Sequence, residues 1–141
     1  MPPRQVWLFK FGCWAAFGTA ALHLFGHVVG PVAPNNDTER QLVELATTYR
    51  YLMPGGAERS MMDFLDGFSL MFSLFLATVG ALGLVIAKRG RDDEVLIKTA
   101  ARLLAGVSAV LVVISLTHFF IIPSMCLALM AVSFACASVT K

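Results

Sequence analysis

Four apolar runs, at about 11–30, 62–87, 96–117 and 122–139, take up most of this 141-residue chain and leave it few choices of fold. Crossing the hydrocarbon core of a bilayer takes about 20 apolar residues in a helix, so each run has the length for one crossing. Only 14% of the residues are charged. A soluble domain usually carries about 25%, so this chain has too few charges to cover a surface facing water. The mean hydropathy of +0.74 agrees. The predicted fold is an all-α integral membrane protein: one domain over 1–141, an antiparallel four-transmembrane-helix bundle with the lipid bilayer as its first partner. Arg4 and Lys10 ahead of the first run resemble a signal peptide, but the run is long and no A-x-A site follows, so it is read as a retained helix. Pro123 separates the last two runs, because proline has no N–H and disfavours helix in the residue before it.

Lysine and arginine collect on the cytoplasmic side of membrane proteins. With four spans, the N-terminus, the second loop and the C-terminus share a side. They hold Arg4, Lys10, Lys88, Arg89, Arg91, Lys98, Arg102 and Lys141, against Arg40, Arg50 and Arg59 in the first loop. The expected topology is N-in and C-in, with loop 31–61 extracytoplasmic. The net charge of +2 follows from this asymmetry, and no basic patch points to nucleic acid. Within the loop, Pro31, Pro34, Asn35 and Asn36 suggest a turn. From Asp37 to Met53, Leu42, Leu45, Ala46, Tyr49, Leu52 and Met53 recur at helical spacing. An amphipathic helix is expected there, opened by a Thr38–Gln41 capping box and ended by Pro54-Gly55-Gly56. It would lie on the outer membrane face or over the bundle as a lid.

The first run carries a stripe of Gly12, Ala16, Thr19, Ala20, His23, Gly26, His27 and Gly30, with Trp14, Phe17, Leu24, Phe25 and Val28 mostly opposite. Small residues let helix backbones approach closely in a membrane. Gly26, Gly30, Gly67 and Gly80 are therefore expected to pack helices. The second run offers Asp66, Ser69, Ser73, Ala77, Gly80 and Gly83 on one face, and the fourth offers Ser124, Ala128, Ala131, Ala135 and Ser138. Trp7, Phe9 and Phe11 suit an interfacial belt. Cys13, Cys126 and Cys136 form no C-x-x-C pair and read as free thiols.

Ionisable side chains inside a span are costly and mark sites by default. The topology gathers His23, His27, Asp63, Asp66 and His118 at the outer rim. His23 and His27 lie one turn apart, about 6 Å along the axis, so both imidazoles could reach one divalent metal, with Asp66, Asp63 or His118 as third ligand and Asp66 the first choice. Haem, held by His118 with His23 or His27, is the second cofactor reading. Histidines that only hydrogen-bond across helices are the structural alternative. Ser60-x-x-Asp63 also reads as a capping box, with a carboxylate suited to a helix N-terminus.

The order Gly26-His27-x-x-Gly30, Glu58-Arg59-Ser60-x-x-Asp63-Phe64-x-x-Gly67-Phe68-Ser69 and Phe119-Phe120-x-x-Pro123 resembles a family of small bacterial four-helix membrane proteins, loosely similar to DoxX-like proteins. The resemblance covers nearly the whole chain, and its specific part is the middle motif. It implies an inner-membrane bundle in which His27, Asp63 and Gly67 match the pattern. The functional expectation is a polar His/Asp site at the outer rim that takes a small ligand, a metal or a lipid-soluble substrate. The alternative is a non-catalytic membrane subunit or assembly factor that packs through small-residue faces, as a homo-oligomer or with a membrane-complex partner. A transporter ranks below both, because the carboxylates fall at span ends. No G-x-S-x-G or Walker loop is present.

Overall fold

The computed structural model describes residues 3–30, 33–90 and 92–140. Pro31, Arg91 and Lys141, used above for the turn and the charge balance, lie outside them. Among the described residues the chain forms α1 (Pro3–Val29), α2 (Asp37–Thr48), β1 (Tyr51–Leu52), β2 (Glu58–Arg59), α3 (Met61–Arg89), α4 (Glu94–His118) and α5 (Ile121–Val139). Helices α1, α3, α4 and α5 are long and apolar enough to cross a membrane. At 1.5 Å per residue, the 29 residues of α3 rise about 44 Å and the 19 of α5 about 29 Å. Helix α1 starts well before the apolar run at 11.

Local chemistry sets most of the helix ends. Ser60 caps α3 as expected: its hydroxyl accepts from the Asp63 N–H at 3.1 Å, and the Asp63 carboxylate accepts from the Ser60 N–H at 2.8 Å. Asp93 caps α4 by accepting from the Leu96 N–H. Helix α2 is capped by Asn36 rather than by Thr38. The Asn36 side chain accepts from the Glu39 N–H at 2.9 Å, while Glu39 reaches back to the Asn36 amide and the Asn35 N–H. Asparagine is among the strongest N-caps, and two of them precede this helix. The helix also ends earlier than expected, at Thr48. Residues 51–52 pair instead with 58–59 in a short hairpin, whose turn takes Gly55 and Gly56 at positive φ. Helix α5 begins two residues before Pro123, which sits in its first turn, where a missing N–H costs no helical bond.

Helix α1 lies in the middle. One side packs on α3 and the other on α5; α5 in turn packs on α4, while α3 and α4 touch little. Along α1 and α5, Gln5 donates to the Ala137 carbonyl, the Phe9 and Phe134 rings meet at 5.6 Å, and Thr19 reaches the Met130 sulfur. Phe9 is fully buried there, so it belongs to the core and not to an outer belt. The expected small stripe of α1 is buried as far as Ala20, and Trp14, Leu24, Phe25 and Val28 are exposed.

Close approach is made by other glycines than most of those expected. A Cβ on Gly80 would meet the Cys13 carbonyl oxygen and the Phe17 ring at 2.9 Å, and one on Gly12 would meet the Phe134 ring at 2.7 Å. Gly83 likewise faces Cys13. Gly26 and Gly67 have no foreign atom within reach of a Cβ among the described residues, so they make no close approach to another helix of this chain. Gly30 ends α1 in the left-handed region, at φ 81°, and its N–H returns to the Gly26 carbonyl. On α5 the buried residues include Leu127, Met130, Phe134 and Ala137, while Ala135 is exposed. Gly12 of α1 makes room there for the Phe134 ring.

Several buried hydroxyls are satisfied on their own helices or across one contact. Ser73 and Ser133 donate to carbonyls four residues back, and the Ser115 and Ser124 hydroxyls meet at 2.9 Å between α4 and α5. This allows serines inside an apolar interior, where an unmade hydrogen bond is costly.

Candidate functional site

Two polar pairs link α1 to α3. His23 Nε2 lies 2.9 Å from the Ser69 hydroxyl, and its ring meets Phe72 edge-on at 5.1 Å between centroids. One turn along α1, His27 Nδ1 stands 3.6 Å from Asp66 Oδ1, within ion-pair reach but outside direct hydrogen-bond range. The spacing explains both pairs. His23 and His27 are four apart on α1, Asp66 and Ser69 three apart on α3, and both spacings keep a pair on one helix face. The first member on α1 therefore meets the later one on α3.

His23, His27 and Ser69, but not Asp66, border a cleft of about 390 Å³ between α1, α3, the α4–α5 turn and α5. His23, His27, Ser69 and Thr19 supply the polar edge. Leu22, Phe72, Phe119, Phe120, Ile122 and Leu127 make the rest mostly apolar. Gly26 contributes bare backbone to the wall. Helix α2 contributes nothing to the lining, so it is not placed as a lid.

The other expected site residues are elsewhere. Asp63 is committed to the α3 cap and to Arg50, whose Nη1 stands 2.6 Å from Asp63 Oδ2. That ties the hairpin approach to the start of α3. His118 is exposed at the end of α4, and its Nδ1 turns back to Thr117 Oγ1 at 2.7 Å and the Ile114 carbonyl at 3.1 Å. It does not join His23 and His27, so the haem pairing with His118 is not assembled. Glu58 and Arg59 form strand β2, and Arg59 donates to the Glu58 carbonyl.

Among the described residues no group of three or more His, Cys, Asp or Glu side chains is placed to hold a metal ion. The set His23, His27 and Asp66 fails because His23 is turned to a serine hydroxyl and the edge of an aromatic ring. Nor do these residues make a Ser–His–Asp relay: the imidazole at Ser69 is His23, whereas the carboxylate stands at His27. What the arrangement offers is hydrogen bonding. An imidazole accepting from Ser69 through Nε2 carries its proton on Nδ1.

Sequence reasoning singled out His23, His27 and Asp66 but gave Ser69 only a packing role and Arg50 only a topological one. The matched spacing of polar residues on two runs joined by one loop was the signal for Ser69. Phe119 and Phe120 carried no such signal, since their place depends on how the α4–α5 turn sits against α1. No protein-family model matches the chain, and neither a curated protein nor a solved structure matches it.

Proposed function

We propose that this chain is an integral membrane protein, an antiparallel four-helix bundle with both termini in the cytoplasm, that binds a lipid-soluble molecule in the cleft between α1, α3 and α5. The observation that carries the reading is that His23, His27 and Ser69 line one edge of an otherwise apolar cavity, with His23 held at Ser69 and His27 within ion-pair reach of Asp66. Ligand sites are typically apolar hollows with a few polar groups that fix orientation. A neutral hydroxyl or carbonyl head fits best. Imidazole nitrogens and the Ser69 and Thr19 hydroxyls can donate to or accept from such a head. A cavity of about 390 Å³ takes such a head with part of its tail, not a whole phospholipid. The likeness to small bacterial inner-membrane proteins of the DoxX-like kind belongs to the same proposal, as does placement in a bacterial inner membrane.

The test is mass spectrometry of lipids extracted from protein purified in mild detergent. The expected result is a neutral hydroxyl- or carbonyl-bearing lipid near one per chain. It should fall at least tenfold in His27→Ala and in Gly26→Leu, while circular dichroism and thermal unfolding stay close to those of the parent chain. Gly26→Leu is informative because Gly26 lines the cleft and a Cβ there has open space. The same lipid profile from all three proteins sinks the binding reading. The sparse contact between α3 and α4 then favours the second reading, a non-catalytic subunit that receives a partner helix on that side.

A further inference from the structure

Helix α2 buries none of its residues, although its pattern is amphipathic. Leu42, Leu45, Ala46 and Tyr49 fall on one side, and Asp37, Arg40, Gln41 and Glu44 on the other. A surface helix of a water-soluble domain turns such a side to its own core. Here that side borders an open groove of about 340 Å³, completed by Tyr51 and Met61, and Leu42 and Leu45 are 67% and 60% exposed. The groove runs into α3. Met61, Leu65 and Phe68 follow one another on one face of that helix, all exposed. The apolar side of α2 and the outer face of α3 are thus one continuous surface. Tyr49 and Tyr51 stand on the groove wall, their rings edge to face at 4.9 Å. Tyrosine is enriched at the level where membrane meets water.

We infer that α2 and the β1 edge lie in the headgroup region of the leaflet on the loop side, and that acyl chains of that leaflet fill the groove. The inference rests on the membrane reading above. The charges of the segment argue for hydrophobic insertion and against recruitment by anionic lipid: Asp37, Glu39, Glu44 and Glu58 outnumber Arg40, Arg50 and Arg59. A zwitterionic surface is sufficient for a helix held by its apolar face.

The experiment is tryptophan quenching in phosphatidylcholine nanodiscs made with and without brominated acyl chains. Trp7→Phe leaves Trp14, 62% exposed on α1, as the reporter of the membrane reading itself. On a Trp7→Phe/Trp14→Phe background, Leu45→Trp reports the groove and Glu44→Trp the polar side of α2. Trp14 quenched, together with at least twofold stronger quenching for Leu45→Trp than for Glu44→Trp, is the expected result. Trp14 quenched with equal, weak quenching at both α2 positions overturns the inference and leaves the membrane reading standing. No quenching at Trp14 overturns both. Blue-shifted but unquenched emission from Leu45→Trp also overturns it, because the groove is then covered by protein, such as a second copy of the chain.

Discussion

Asp63 and Asp66 show how one turn of helix separates a structural carboxylate from a candidate functional one. Asp63 closes a reciprocal cap with Ser60 and receives Arg50, both on Oδ2. Asp66 faces His27 on the neighbouring helix and remains about half exposed. The capping box at 60–63 was legible from four letters, because a cap needs only residues adjacent in the chain. Its worth can be checked directly. Ser60 is buried, so Ser60→Ala leaves the Asp63 N–H without its partner. The expected cost is about 1 kcal/mol, read as a lower midpoint in reversible denaturation in mixed micelles, with lipid extraction unchanged. A midpoint equal to that of the parent chain would show that the cap contributes nothing to stability.

Among the elements, α1 carries both jobs: its buried residues hold α3 and α5, and its two histidines edge the cleft. The contact with α3 depends on Gly80 and Gly83 lying against Cys13. Gly80→Leu drives a side chain into the Cys13 carbonyl and the Phe17 ring. Backbone cannot move aside as a flexible side chain can, so the expected loss is about 3 kcal/mol, toward the upper end for overpacking. The denaturation midpoint should fall far more than for Gly67→Leu, since Gly67 has open space around it. Equal losses at the two positions would contradict this packing. From sequence, the glycines at 26, 67 and 80 looked alike, because spacing alone says which face a glycine is on and not whether another helix arrives there.

At the scale of the whole molecule, the helices form an open row in which α3 and α4, though consecutive among the long helices, touch little. That opening follows from α1 and α5 packing on each other and taking the centre. The proposed orientation has a simple check. Glu44→Cys on α2 should react with a membrane-impermeant maleimide on intact cells. Lys88→Cys, at the end of α3, should react only after permeabilisation, with the parent chain as control for Cys13, Cys126 and Cys136. The opposite pattern inverts the topology, and labelling of both on intact cells removes it.

The sequence by itself determined the number and approximate positions of the long apolar helices, though not the early start of α1, together with the capping box of Ser60 and Asp63, the exposed side of α1 and the presence of an amphipathic helix after Asn36. Each depends on hydropathy, periodicity or a hydrogen bond between near neighbours, which a one-dimensional pattern contains. Only the tertiary structure decided that His23 meets Ser69, that His27 meets Asp66, that His118 stands apart, and that Gly12 and Gly83 rather than Gly26 admit a neighbour. Those outcomes depend on the rotation and depth at which one helix lies against another. Side chains far apart in the chain set that geometry jointly, and no single stripe encodes it.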